Sequence, residues 1–156
     1  MLLARDIMTR DVVTVAPDTP VEAITRLMLD KHLDAIPVAD ASGQPVGLVN
    51  QEHLITRLAS PGRLITRLTH DDPLDVLEEA RAQMNRAMGK TAADEMRTDI
   101  NLVNGDMPVS ELVEIFLDRH VALILVQEAG RMAGVISKRD VMRAMVDAPV
   151  RGPAQA

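Results

Sequence analysis

The chain writes one pattern twice, and that duplication restricts its fold more than any other feature. A shift of 88 places (96 minus 8) lays Asp6, Met8, Asp11, Val15, Asp18, Pro20, Val21, Leu29, His32, Ile36 and Val38 onto Asp94, Met96, Asp99, Val103, Asp106, Pro108, Val109, Leu117, His120, Ile124 and Val126. After a one-residue loop change the offset becomes 87, and Gly43 and Gly47 fall on Gly130 and Gly134. Two copies of one supersecondary plan are expected, and the positions where the copies differ are where function is to be sought.

Each copy reads as a short polar-apolar lead, a strand, a helix, two strands and a second helix. In the first copy the β-branched run Asp11 to Ala16 predicts a strand ended by Pro17. Thr19, with Pro20 at the first helical position and Glu22 three residues on, predicts a capping box opening a helix whose apolar stripe is Val21, Ile24, Leu27 and Met28. Strands are expected at 35–39 and 45–49 around the turn Asp40-Ala41-Ser42-Gly43, then a helix over 50–59. The second copy predicts strands at 100–103, 123–127 and 132–136 and helices at 108–119 and 138–146.

The implied boundaries are a first motif at 1–60, a linker at 61–90, a second motif at 91–148 and a flexible tail at 149–156. Within the linker Asp72, Pro73, the stripe Leu74, Leu77, Ala80, Met84, Ala87 and the terminal Gly89 predict an extra amphipathic helix over 73–88, read chiefly as a cover for core. A β-α-β-β-α unit cannot cover both faces of its small sheet alone, so the two are expected to pack sheet to sheet with pseudo-twofold symmetry, an α/β fold.

Composition closes off several classes of function. There is no cysteine, which removes disulfides, thiol catalysis and thiolate metal sites together. A net charge of -6 argues against nucleic acid and anionic membranes, and one Phe with no Tyr or Trp leaves no base-stacking platform. No apolar run reaches the roughly 20 residues of a membrane span, and the charged start does not read as a signal peptide, so the expected location is cytoplasmic. The ten Met stand mostly at apolar helical spacing and read as core filler.

No enzyme constellation is present: no Gly-x-Ser-x-Gly elbow, no phosphate-binding Walker loop, no His-Glu-x-x-His. His32 and His120 repeat, but each follows a helix ending in a basic residue, and no second ligand stands at helical spacing, so a turn is expected there rather than a metal.

The runs Val12-Val13-Thr14-Val15-Ala16-Pro17-Asp18-Thr19-Pro20, Ala35-Ile36-Pro37-Val38 and Gly47-Leu48-Val49, with Gly134-Val135-Ile136-Ser137-Lys138-Arg139-Asp140, resemble the cystathionine β-synthase (CBS) domain. The resemblance covers both copies. It implies a CBS pair, or Bateman module: a non-enzymatic regulatory element, with no catalytic domain attached, that binds AMP, ADP, ATP or S-adenosylmethionine, forms homodimers and signals to a partner protein. It further implies that Ser137 contacts phosphate and Asp140 the ribose hydroxyls, with Lys138 and Arg139 adding positive charge and Arg119 or Arg131 in reserve. Ile100 and Ile124 would lie against the base. Ser137 and Asp140 are equally a helix-capping pair, and both readings stand at this point. The first copy has Asn50 and His53 in their places, with Gln51 and Glu52 between, so the ligand site is expected in the second copy only. The alternative function is a ligand-free dimerisation or protein-interaction module with a degenerate pocket.

Overall fold

In the computed structural model the described residues are 1–58, 74–75, 78, 81–82, 85–86 and 90–148. They fall into two compact units that do not coincide with the sequence copies: unit 1 is Met1–Val12 with Asn101–Ala156, and unit 2 is Val13–Ile100. The lead of each copy therefore packs on the core of the other.

Unit 2 contains α2 (Val21–Lys31), β1 (Ala35–Ala39), β2 (Pro45–Asn50), α3 (Gln51–Leu58) and α4 (Ala92–Glu95). Unit 1 contains α1 (Ala4–Ile7), β3 (Leu102–Asn104), α5 (Val109–Arg119), β4 (Leu123–Glu128), β5 (Arg131–Ser137) and α6 (Lys138–Asp147). In unit 1, β3 pairs parallel with β4 and β4 antiparallel with β5; in unit 2, β1 pairs antiparallel with β2. Each sheet buries an apolar set of its own, Ile24, Ile36, Val38 and Val49 in unit 2 and Leu112, Ile124, Val126 and Ile136 in unit 1.

The strand expected at 11–16 shrinks to a single parallel bridge, Val15 to Val38, while its counterpart in the second copy is a true strand at 102–104. A proline explains the difference. In the second copy the Leu125 amide donates to the Asn101 carbonyl at 2.8 Å; the corresponding residue of the first copy is Pro37, which has no N–H to offer Val13.

The capping box expected at Thr19 and Glu22 is also absent. The helix begins at Val21 with Pro20 as its cap residue and no side-chain cap bond, and Glu22 instead pairs with Arg26 at 2.9 Å. Backbone from the exchanged lead does the capping: the Val21 amide donates to the Lys90 carbonyl (2.7 Å), and Ala92 donates back to the Thr19 carbonyl (2.8 Å). The second copy repeats this, Val109 donating to the Leu2 carbonyl and Ala4 to that of Met107.

The helix stripes lie in these cores: Ile24, Met28, Leu112 and Phe116 are buried, and the outward apolar positions are instead the equivalent pair Leu29 and Leu117, 70% and 72% exposed. Met8 and Met28 are core, whereas Met142 and Met145 on α6 are exposed. His32 and His120 end their helices in the left-handed conformation (φ 52° and 48°), as their turn reading requires. Of the extra helix expected at 73–88, the described positions are helical and exposed, Leu74 among them; Leu77, Ala80, Met84 and Ala87, like the tail at 149–156, lie outside the described residues.

Candidate functional site at the start of the last helix

The edge of unit 1 where β5 hands over to α6 is built by a reciprocal cap. Ser137 is extended and caps the helix; the Asp140 carboxylate returns to it, one oxygen accepting from the Ser137 amide (2.8 Å) and hydroxyl (2.9 Å). The Asp140 amide donates to Ser137 Oγ at 3.4 Å. A negative charge is favoured at this helix end by the dipole and by the amides that lack intrahelical acceptors.

The other carboxylate oxygen faces a residue that sequence reasoning passed over. Thr9 donates its hydroxyl to Asp140 Oδ1 at 3.3 Å, and Arg143 stands 3.7 Å from the same oxygen. Thr9 is positioned by a two-way backbone bridge, its amide donating to the Val135 carbonyl (2.8 Å) and accepting in return at its carbonyl (3.0 Å). A signal for it existed, because its equivalent in the second copy's lead is Arg97, one of the mismatches between copies.

Asp140 is only 8% exposed, yet it lines an open cavity of about 750 Å³ together with Met1, Ile7, Arg143, Ala144 and Asp147. The carboxylate is thus held by its hydrogen bonds at a solvent-connected hollow whose lining mixes apolar residues with the carboxylates of Asp6 and Asp147. Chemically it offers acceptor lone pairs to vicinal hydroxyls, and its neighbours are already oriented.

The remaining predicted residues do not all gather there. Lys138 and Arg139 are exposed on the first turn of α6. Ile124 is completely buried in the core of unit 1, where packing occupies its side chain. Arg131 begins β5 and Ser137 ends it, so about 20 Å of strand separates them and Arg131 is not available to a phosphate at Ser137. The Arg119 side chain lies outside the described residues.

In the first copy the same structural position is a plain cap: the Asn50 side chain accepts from the His53 amide at 2.7 Å, and His53 stands in the place of Asp140. Among the described residues no group of three or more His, Cys, Asp or Glu is placed to hold a metal, and no helix is long and apolar enough to cross a membrane.

The CBS domain profile matches residues 4–60 and 92–147. An uncharacterized protein of Methanocaldococcus jannaschii is 21% identical over 90% of this chain, which spans 31% of that relative's length. Two crystal structures share the fold. The CBS-domain containing protein ATU1752 of Agrobacterium tumefaciens is 22% identical with a TM-score of 0.71, covering 92% of each chain. CBSX2 in complex with AMP is 21% identical with a TM-score of 0.73, covering 96% of this chain and 99% of its own.

Proposed function

This chain belongs to the CBS-domain family, and from that premise we propose that it is a non-enzymatic regulatory module that senses an adenosyl ligand, AMP, ADP, ATP or S-adenosylmethionine, through the second copy. One observation carries the reading: Asp140 is a buried, pre-oriented carboxylate at the edge of an open cavity. It has the acceptor capacity for a ribose diol, and His53 in the first copy does not. Similarity of fold to a protein that holds AMP supports the ligand class. In this role Ser137 and Asp140 act both as cap and as ligand contacts, Thr9 is the third polar member, and Lys138 and Arg139 supply the positive field for phosphate. The module acts as a cytoplasmic homodimer that passes its ligand state to a partner protein. Leu29 and Leu117, equivalent and outward on their helices, support burial between chains.

The competing reading is a ligand-free interaction module. It draws support from the way Asp140 is already occupied by Ser137 and Thr9. A thermal-shift screen with AMP, ADP, ATP and S-adenosylmethionine separates the two, since a ligand at 100 times its Kd adds about 2.7 kcal/mol of stability. No shift with any of the four, at millimolar concentration, would hand the chain to the interaction-module reading.

A further inference from the structure

The second copy sorts its surface charge by helix, and the first does not. On α5 stand Glu111, Glu114 and Asp118, where the equivalent positions of α2 are Ala23, Arg26 and Asp30. The last helices differ the other way: α6 carries Lys138, Arg139 and Arg143 where α3 has Gln51, Glu52 and Thr56. Within α2 the mixed charges satisfy one another, Arg26 pairing with Glu22 at 2.9 Å. Unit 1 instead sets an acidic helix against a basic one, for α5 and α6 pack together and these charged residues are all exposed.

The same outward faces carry apolar residues that the core does not use. Leu112 and Phe116 of α5 and Val141 of α6 are buried in unit 1, so the inner side of each helix is already packed. On the outer side of α6, Met142, Met145 and Val146 are 65%, 73% and 83% exposed, following Lys138 and Arg139 at helical spacing. On the outer side of α5, Leu117 lies three residues after Glu114 and beside Asp118. An apolar stripe with a charged border is the anatomy of a contact surface, and methionine suits one because its unbranched chain adapts to what it meets. The sign of the border then selects the occupant.

We propose that the outward face of α6 is a docking surface for the outward face of α5 of a second copy. Met142, Met145 and Val146 close over Leu117 of the other protomer, while Lys138 and Arg139 meet Glu114 and Asp118. Because one unit bears both faces, a twofold axis makes the contact twice, each α6 on the other protomer's α5. The apolar residues supply the strength, and the charges fix the pairing and exclude α5 on α5 or α6 on α6. Arg143 also faces Asp140 at 3.7 Å, so its charge is shared with that carboxylate. The inference rests on the homodimer of the proposed function and assigns its interface.

The test is a pair of charge-reversed full-length chains whose masses are followed by analytical ultracentrifugation. Glu114→Lys with Asp118→Lys makes both facing surfaces basic, and Lys138→Glu with Arg139→Glu makes both acidic. Each variant alone should dimerise about a hundredfold more weakly than wild type, because attraction turns to repulsion at two symmetric contacts. Mixed in equal amounts, the two should form a heterodimer, since every acidic face again has a basic one opposite. That recovery also shows that both variants are folded. Variants that dimerise alone as wild type does, or a mixture that stays monomeric, would overturn the contact between α6 and α5 and leave the homodimer to another face. A wild-type chain that is monomeric at high micromolar concentration would overturn the homodimer and this interface together.

Discussion

Replacing Gly134 by alanine should break the attachment of the Met1–Val12 segment to unit 1. A Cβ built on Gly134 comes within 2.6 Å of Met8 Sδ, 2.8 Å of Met8 Cγ and 2.9 Å of the Thr9 carbonyl oxygen. The thioether can swing away, but that oxygen accepts the Val135 amide at 3.0 Å and can retreat only by stretching the bridge. Overpacking of this kind costs about 1–3 kcal/mol, and a weakened backbone hydrogen bond adds up to about 1 kcal/mol. Against this, the stiffer unfolded chain returns about 0.4–1 kcal/mol. The net is a destabilisation centred near about 2 kcal/mol, or roughly 4–8 °C in Tm for a chain of this size. Urea denaturation should show a lower midpoint with an unchanged slope, and hydrogen exchange should show the loss concentrated at the amides of Thr9 and Val135. In a double-mutant cycle Gly134→Ala should cost less in a Met8→Ala background than in wild type, but still something, because the Thr9 carbonyl stays in the way. A Gly134→Ala protein within about 0.5 kcal/mol of wild type, or one whose exchange accelerates uniformly, would refute the crossing-point argument.

Ala129 sits at φ 50° in the β4–β5 turn beside Gly130, so Ala129→Gly should stabilise the protein by about 0.5–1 kcal/mol in chemical denaturation. Ser137→Ala should cost about 1 kcal/mol through the lost cap, read the same way. From the sequence, Asp140→Asn would be expected to spare the fold, but the buried carboxylate accepts from the Ser137 amide and hydroxyl and from Thr9, so the substitution should cost about 1–3 kcal/mol as well as abolish ligand-induced thermal shifts. Thr91 holds the Asp94 carboxyl below its ordinary range through its amide and hydroxyl, so that contribution is full above the unfolded-state value and is lost as pH falls through the folded one. Asp94→Asn should therefore flatten the acid limb of the stability-against-pH curve, leaving the neutral region parallel to wild type. Light scattering at high micromolar concentration should give a dimer mass, and Leu29→Glu with Leu117→Glu should return a monomer with its fold intact by circular dichroism.

Much of this molecule is readable without coordinates because its signals are local. Helices α2, α5 and α6 and the hairpin strands follow from apolar period, and the Ser137–Asp140 cap from spacing within a single turn. The left-handed ends at His32 and His120 follow in the same way from neighbours a few residues apart. Pro37 held the reason for the lost first strand, but its effect required knowing that Val13 is the residue opposite. What tertiary structure alone decided is which copy each lead joins. Met8 and Met96 are equivalent, as are the strand glycines they cross, Gly134 and Gly47, so the duplicated sequence states that a lead methionine meets a strand glycine without stating whose. The folded chain resolves this by exchange: Met8 crosses Gly134 and Met96 crosses Gly47. That choice carries Thr9 to Asp140 in unit 1 and leaves Arg97, with Asp99 and His53, in unit 2. Symmetry hides such a pairing from the sequence, because both arrangements satisfy the same local pattern and only packing across the whole chain tells them apart.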